Sequence, residues 1–175
     1  MLKRGFDMFV SIILLLLLGV PILLLWVMCS VDTATNGIFI QNRVGQHGKI
    51  FKIYKLRTIR DNDQRISGLG AFLRKYNVYE FPQIWNVLLG DMSFVGPRPA
   101  LFNQDDLIAL RTQNDVHELV PGLTGWAQVN GRDELPIPQK VQFDVEYLQR
   151  RSLAFDLKIL WLTAMKVLIR DGVSH

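Results

Sequence analysis

The sequence predicts an α/β domain held at a membrane, and three observations carry that prediction. From Ile12 to Met28 the chain reads IILLLLLGVPILLLWVM, without a charge or a hydroxyl. Two β-rich runs follow, Gly37–Asn42 and Ile50–Leu56, with glycines in the turn between them, so a short hairpin is expected. Further on, apolar residues recur at helical spacing in several amphipathic segments. A chain of 175 residues holds one compact domain plus an appendage. The expected organisation is a membrane segment over 1–36 and an enzyme-sized domain over 37–175.

Composition narrows the partners. Hydrophobic residues make up 49% of the chain, while the charged 21% fall almost entirely after the leucine-rich run. A net charge of +4 suits an anionic partner, lipid headgroups or a phosphorylated substrate. There is no arginine-rich run and no RNA-binding aromatic signature, so no nucleic-acid partner is expected. Cys29 is the single cysteine, which excludes an internal disulfide and permits a cytosolic catalytic face. His47, His117 and His175 are too scattered to suggest a local metal cluster.

The apolar run is longer than a signal-peptide core, and Trp26-Val27-Met28-Cys29 fits cleavage poorly, so the segment is expected to stay on the protein. About 20 apolar residues suffice for a single span. Two features compete with a span. Pro21 lies mid-run, where a missing N–H and a steric clash kink or break a helix. Basic residues also flank both sides, Lys3 and Arg4 before and Arg43, Lys49, Lys52, Lys55, Arg57 and Arg60 after, which favours both ends on one face. A single span and a helix that turns back at Gly19-Val20-Pro21 both remain open on these grounds.

In the second region, Lys52, Lys55 and Arg57 either point from the hairpin towards anions or line a solvated strand face. Ile66, Leu69, Phe72, Leu73 and Tyr76 predict a helix ending near Asn77. A new helix is expected from about Pro82, with Ile84, Trp85, Leu88 and Leu89 as its apolar face and Gly90 as its stop. Glu80 then falls at or just before a helix N-terminus, where free amides favour a carboxylate or a phosphate. Pro97-Arg98-Pro99 fixes a guanidinium on a stiff backbone, which suits phosphate. The stretches Pro121–Trp126 and Asn130-Gly131-Arg132-Asp133 read as polar glycine turns able to shape a nucleotide or sugar pocket. From Leu153 to Arg170 a helix carries Asp156, Thr163, Lys166 and Arg170 on one stripe and apolar residues over most of the rest, and contact with the membrane interface is expected.

Taken together, Lys3–Asp7, the run around Pro21, Gln41–Gly45, Phe51–Thr58, Glu80–Pro99, Pro121–Arg132 and Asp156–Leu168 resemble the bacterial sugar transferase family, in its minimal single-domain form. These are monotopic phosphoglycosyl transferases that begin glycan assembly on a polyprenyl phosphate. The resemblance implies a re-entrant helix broken at Pro21 and a location on the cytoplasmic face of the bacterial inner membrane; the interfacial helices read from the sequence leave a homodimer open. It implies transfer of a sugar 1-phosphate from a UDP-sugar to undecaprenyl phosphate with release of UMP and a requirement for Mg²⁺. An aspartate would attack the β-phosphate to give a phosphosugar-enzyme intermediate. Carried onto this chain, Glu80 matches the glutamate of the Asp-Glu dyad and a magnesium ligand, and Arg98 the phosphate-binding arginine. Gln83, Asn86 and Asp91 match polar positions near the dyad, Lys55 and Arg57 the basic strand, and Arg132 a candidate substrate-loop residue.

Two departures stand out. Val20 replaces the serine common before the helix-breaking proline, and Tyr79 occupies the place of the nucleophilic aspartate. A phenol, with an ordinary pKa of about 10, is neutral near pH 7 and does not replace a carboxylate conservatively. The residues thus leave open an impaired transferase, an alternative nucleophile at Tyr79 or Glu80, and a specialised member whose substrate or partner restores chemistry. The rival class is a non-catalytic membrane scaffold that binds UDP-sugar, polyprenyl phosphate or partner glycosyltransferases.

Overall fold

The computed structural model describes residues 2–61, 64–131 and 135–168. The chain divides into two compact units, one formed by Met1–Asn42 with Lys52–Gly90 and the other by Arg43–Phe51 with Asp91–His175. Within the first unit the long N-terminal helix packs against residues that follow the hairpin.

In the first unit a single helix, α1 (Leu2–Thr33), carries the apolar run. Its 32 residues correspond to about 48 Å at 1.5 Å per residue. It is apolar and long enough to cross a membrane. Pro21 lies inside α1, which continues as helix on both sides of it. The neighbouring turns keep the helix together although Pro21 has no N–H for the carbonyl one turn back. Burial along α1 falls at its two ends, Asp7 and Ser11 at one and Cys29 and Thr33 at the other, and no residue from Ile12 to Met28 is buried.

Both ends are tied to the same unit. The Arg4 guanidinium donates to the carbonyls of Val87 and Leu88 in α3 (Ile84–Leu89). At the far end Cys29 packs with Leu56 and Leu73, and Asp32 pairs with Arg60 at 3.0 Å. The chain leaves α1 through a tight turn in which the Asn36 carboxamide accepts from Trp26 Nε1 and from the Ile38 N–H. A Cβ on Gly37 would lie 2.2 Å from the Trp26 carbonyl, so only glycine fits this return.

The hairpin forms as expected from β1 (Ile38–Val44) and β2 (Ile50–Leu56). Its turn is closed by Gly45 N–H to Lys49 O at 2.8 Å, with His47 and Gly48 at positive φ. Helix α2 (Gly68–Lys75) is capped by Ser67, whose hydroxyl accepts from Gly70 N–H at 2.8 Å, as a serine does best at an N-cap. A 3₁₀ turn, Val78–Gln83, leads directly into α3, and Gly90 ends α3 in the left-handed region (φ 96°) as a C-cap glycine should. The apolar face expected of α3 is split. Ile84 and Val87 are buried together with Asn86, while Trp85 and Leu89 are exposed at 48% and 57%.

The second unit is built on short pieces. Strands β3 (Ser93–Val95) and β5 (Gly122–Thr124) pair in parallel, with Ser93 opposite Gly122 and Val95 opposite Thr124. Residues 122–124 are therefore strand, not the polar turn expected from their glycines. Strand β4 (Ala100–Leu101) adds antiparallel to the Arg43–Val44 end of β1. Helices α4 (Asp105–Gln113) and α6 (Ile137–Arg150) enclose a cluster of Ala100, Leu107 and Val141. The short α5 (Trp126–Asn130) precedes α6, and α7 (Leu153–Leu168) follows it.

The first two residues of the α7 stripe, Asp156 and Thr163, face inward, while Lys166 further along is exposed. Asp156 is 2% exposed and its Oδ1 lies 2.7 Å from the Tyr147 hydroxyl, while Thr163 meets Thr124 at 2.7 Å. Leu157 and Trp161 point outward instead, exposed at 54% and 66%. Lys158 and Lys166 are exposed along with them, so the outward face of α7 is amphipathic rather than purely apolar. Arg170, the last residue of the expected stripe, lies outside the described residues.

Candidate functional site

The 3₁₀ turn after α2 presents Tyr79 and Glu80. It begins at Asn77 in the left-handed region (φ 55°), and Glu80 N–H bonds back to Asn77 O at 3.1 Å. Glu80 therefore sits within this turn and not at the N-cap of α3, so its anion is held by side chains rather than by a helix terminus. The partner is Lys55 of β2, whose Nζ donates to Glu80 Oε1 at 2.9 Å, with the two side chains only 12% and 17% exposed. An ion pair this sheltered is screened less than a surface pair.

Tyr79 is partly buried against the cluster of Cys29, Leu56 and Leu73. Two cations face its ring, Lys55 Nζ at 5.2 Å and Arg74 Cζ at 5.6 Å from the centroid. Arg74 is held in place by its Nε donating to Thr58 Oγ1 at 2.8 Å. Arg74 was not marked in the sequence, although its place in the last turn of α2, five residues before Tyr79, allows it to reach there.

The other expected residues of this unit are tied to the framework. Asn86 is fully buried, donating to Lys52 O at 2.7 Å and accepting from Tyr54 N–H at 3.3 Å, so its amide fastens α3 to β2. Arg57 donates to Asn36 O and to Asp61 Oδ1, both at 2.8 Å, bracing the chain where it leaves α1. Gln83 is 2% exposed, and among the described residues its amide nitrogen has no hydrogen-bond partner.

Of the expected residues in the second unit, Asp91 is half-buried at its start and Arg98 lies in the turn before β4. Arg132 lies outside the described residues. Arg98 lines a cavity of about 170 Å³ together with His47, His117 and Arg111. The rings of His47 and His117 meet edge to face at 6.2 Å. Arg111, in the last turn of α4, donates through Nε and Nη2 to Asp144 Oδ2 at 2.9 and 2.7 Å. Its Nη1 donates to the Arg98 carbonyl at 2.8 Å. Asp144, on α6, is 1% exposed. Burial pushes its carboxyl above the ordinary value against the opposing pull of Arg111 and Lys140. The sequence offered no signal for this pair, whose members lie on separate helices far apart in the chain.

Among the described residues no group of three or more His, Cys, Asp or Glu side chains forms a metal cage. Beside the Tyr79 ring the first unit sets Glu80 with Lys55 and Arg74; in the second, Arg98 and Arg111 line one cavity, with Arg111 paired to Asp144. The exposed apolar helix and the mixed helices and small sheets define an α/β protein suited to membrane anchoring.

Residues 1–170 match the bacterial sugar transferase family. The chain is 40% identical to the uncharacterized sugar transferase EpsL of Bacillus subtilis, over 99% of this chain and 91% of that protein. It is 36% identical to an undecaprenyl-phosphate galactose phosphotransferase of Salmonella typhimurium, over 98% of this chain and 41% of the relative. With a UDP-glucose:undecaprenyl-phosphate glucose-1-phosphate transferase of Escherichia coli it shares 35% identity, over 95% and 40%. The chain thus spans about two fifths of the length of these last two. This chain belongs to the bacterial sugar transferase family.

Proposed function

We propose that the chain acts in the family's reaction, with undecaprenyl phosphate accepting a sugar 1-phosphate from a UDP-sugar and UMP leaving. The Lys55–Glu80 pair beside Tyr79 carries this reading, because it sets a sheltered carboxylate and two cations around the position of the family's nucleophile. The names of the Salmonella and Escherichia relatives supply the lipid and the sugar phosphate. Glu80 is the proposed magnesium ligand. Magnesium is commonly bound by one or two carboxylates together with substrate phosphates, which a lone glutamate fits better than a protein cage would. When bound, the ion offsets charge on the transferring phosphoryl group. Arg98 takes a phosphate of the nucleotide, and Gln83, Asp91 and Arg132 remain substrate-side candidates. Tyr79 packs its ring face against the apolar cluster and two cations, an engagement that supports low turnover in this chain.

The test uses membranes holding the full chain, radiolabelled UDP-sugars, undecaprenyl phosphate and magnesium. Lipid-linked product together with UMP, lost on chelation, is the expected result for the chain carrying Tyr79→Asp. If neither that variant nor the parent turns over any UDP-sugar in a broad panel, the transferase reading falls and the scaffold reading replaces it.

The same proposal places α1 in the bilayer as a re-entrant element on the cytoplasmic face. Support comes from the anchoring of both its ends in one unit while Ile12–Met28 stays unburied. Basic flanks favour the same topology, and Pro21 is where a continuous α1 can kink. Native Cys29 is 1% exposed, so added thiols report cleanly. Cysteines introduced by Leu2→Cys and Thr35→Cys should both react with an impermeant maleimide only from the cytoplasmic side. Labelling of either from the periplasm would establish a span instead.

A further inference from the structure

Pro97 and Pro99 lack N–H groups, so the turn that presents Arg98 cannot be fastened by its own prolines as donors. Its carbonyls are instead taken one by one. Gly122 N–H donates to Pro97 O at 2.9 Å, Arg111 Nη1 to Arg98 O at 2.8 Å, and Arg43 Nη1 to Pro99 O at 3.2 Å. Among these three donors, Arg111 is the one that grips the peptide of Arg98 itself. We propose that Arg111, oriented by Asp144, is a positioning residue that fixes the Pro97-Arg98-Pro99 turn so that the Arg98 guanidinium is set for an anionic phosphate.

The geometry distinguishes this from an ordinary ion pair between helices. A pair serving only to join α4 to α6 needs no third bond, whereas Arg111 uses the remaining arm of its fork on the Arg98 carbonyl. Its side chain is 11% exposed and that of Asp144 2%, so water competes little for either. Asp144 fixes the plane of the guanidinium by accepting from both Nε and Nη2, which leaves Nη1 a single direction. Arg111 and Arg98 also line the same cavity, so a shift in one reshapes the surroundings of the other. Lysine, with a compact ammonium, cannot hold the carboxylate and the carbonyl with the same planar fork.

This inference rests on the reading of Arg98 as a phosphate-binding group, and two measurements separate the claims. Full-length protein in nanodiscs is titrated with UDP, and hydrogen exchange is followed in the peptide spanning 94–104. Arg111→Lys, which keeps a cation opposite Asp144, should accelerate exchange in that peptide and weaken UDP binding by about tenfold, the scale of one lost charge-assisted hydrogen bond. In an Arg98→Ala background the same change should cost UDP affinity little more, since coupled residues are not additive. Unchanged exchange in folded Arg111→Lys overturns the positioning role. So does an equal loss of UDP affinity with and without Arg98, because a general structural defect would act in both. Altered exchange with UDP affinity indifferent to Arg98→Ala leaves the positioning role standing and removes Arg98 from the phosphate site. Asp144→Asn supplies a second folded variant, expected to shift exchange in the same direction as Arg111→Lys.

Discussion

Tyr79→Asp should raise transfer of sugar phosphate to the lipid by about a thousandfold or more, the scale on which losing a nucleophile acts in other covalent mechanisms. The parent side chain presents a ring face to Lys55 and Arg74 and packs on Leu56 and Leu73. A carboxylate at the same position meets the same two cations, which favour its charged form and so its use as a nucleophile. Covalent attack on the β-phosphate would form an aspartyl–phosphorus bond as the bond to the leaving UMP breaks. The lipid phosphate would then displace the aspartate. Trapping the variant with UDP-sugar alone should add one phosphosugar to the intact mass, with UMP released in equal amount. Tyr79→Asn, nearly the same shape without the charge, should show neither. Tyr79→Phe isolates the phenol: parent-level turnover in this variant excludes the hydroxyl as a nucleophile, and a collapse to background assigns that role to it. Absence of a gain in folded Tyr79→Asp would falsify the view that this single residue limits turnover.

How much of this was legible depends on which force sets each element. The apolar run of α1, the hairpin around Gly45–Gly48, and the stop at Gly90 are local signals, and each appears where the sequence put it. The β3 and β5 strands were not legible, because three-residue strands separated by many residues leave no alternation to read. Periodicity places the α7 stripe on one line but leaves its direction open, since it separates two faces without saying which meets the protein. Asp156 and Thr163 answer that by bonding inward. At the site, Glu80 and Lys55 were named from type and position, and the structure joins them. Asn86 matches a polar position near the dyad, and both ends of its amide bind the β2 backbone, a partner that no residue pattern announces. Arg111 and Asp144 escaped notice because a buried pair is visible only once α4 and α6 are packed.

That pair should also dominate the stability of its unit. Asp144→Ala leaves the Arg111 guanidinium buried without its anion, and the expected cost is about 3–5 kcal/mol. For a chain of this size such a loss lowers the melting temperature by about 10 °C or more. Replacing both partners by apolar residues of similar volume, Arg111→Met with Asp144→Leu, should recover much of that loss, because no uncompensated charge remains buried. The pH dependence carries a distinct sign. Burial raises the Asp144 carboxyl above its ordinary value, so the folded chain holds that proton more tightly than the unfolded chain. Its contribution is fully present below the ordinary carboxylate pKa of about 3.9 and is lost as pH rises through the raised value in the folded protein. Asp144→Asn removes this titration, so its melting temperature relative to the parent should improve as pH climbs through the mildly acidic range. Thermal melts of parent and variant across that range in one detergent decide the matter. A parent that instead gains stability relative to Asp144→Asn on the same climb would show that the Arg111 interaction outweighs burial and holds the carboxyl below its ordinary value.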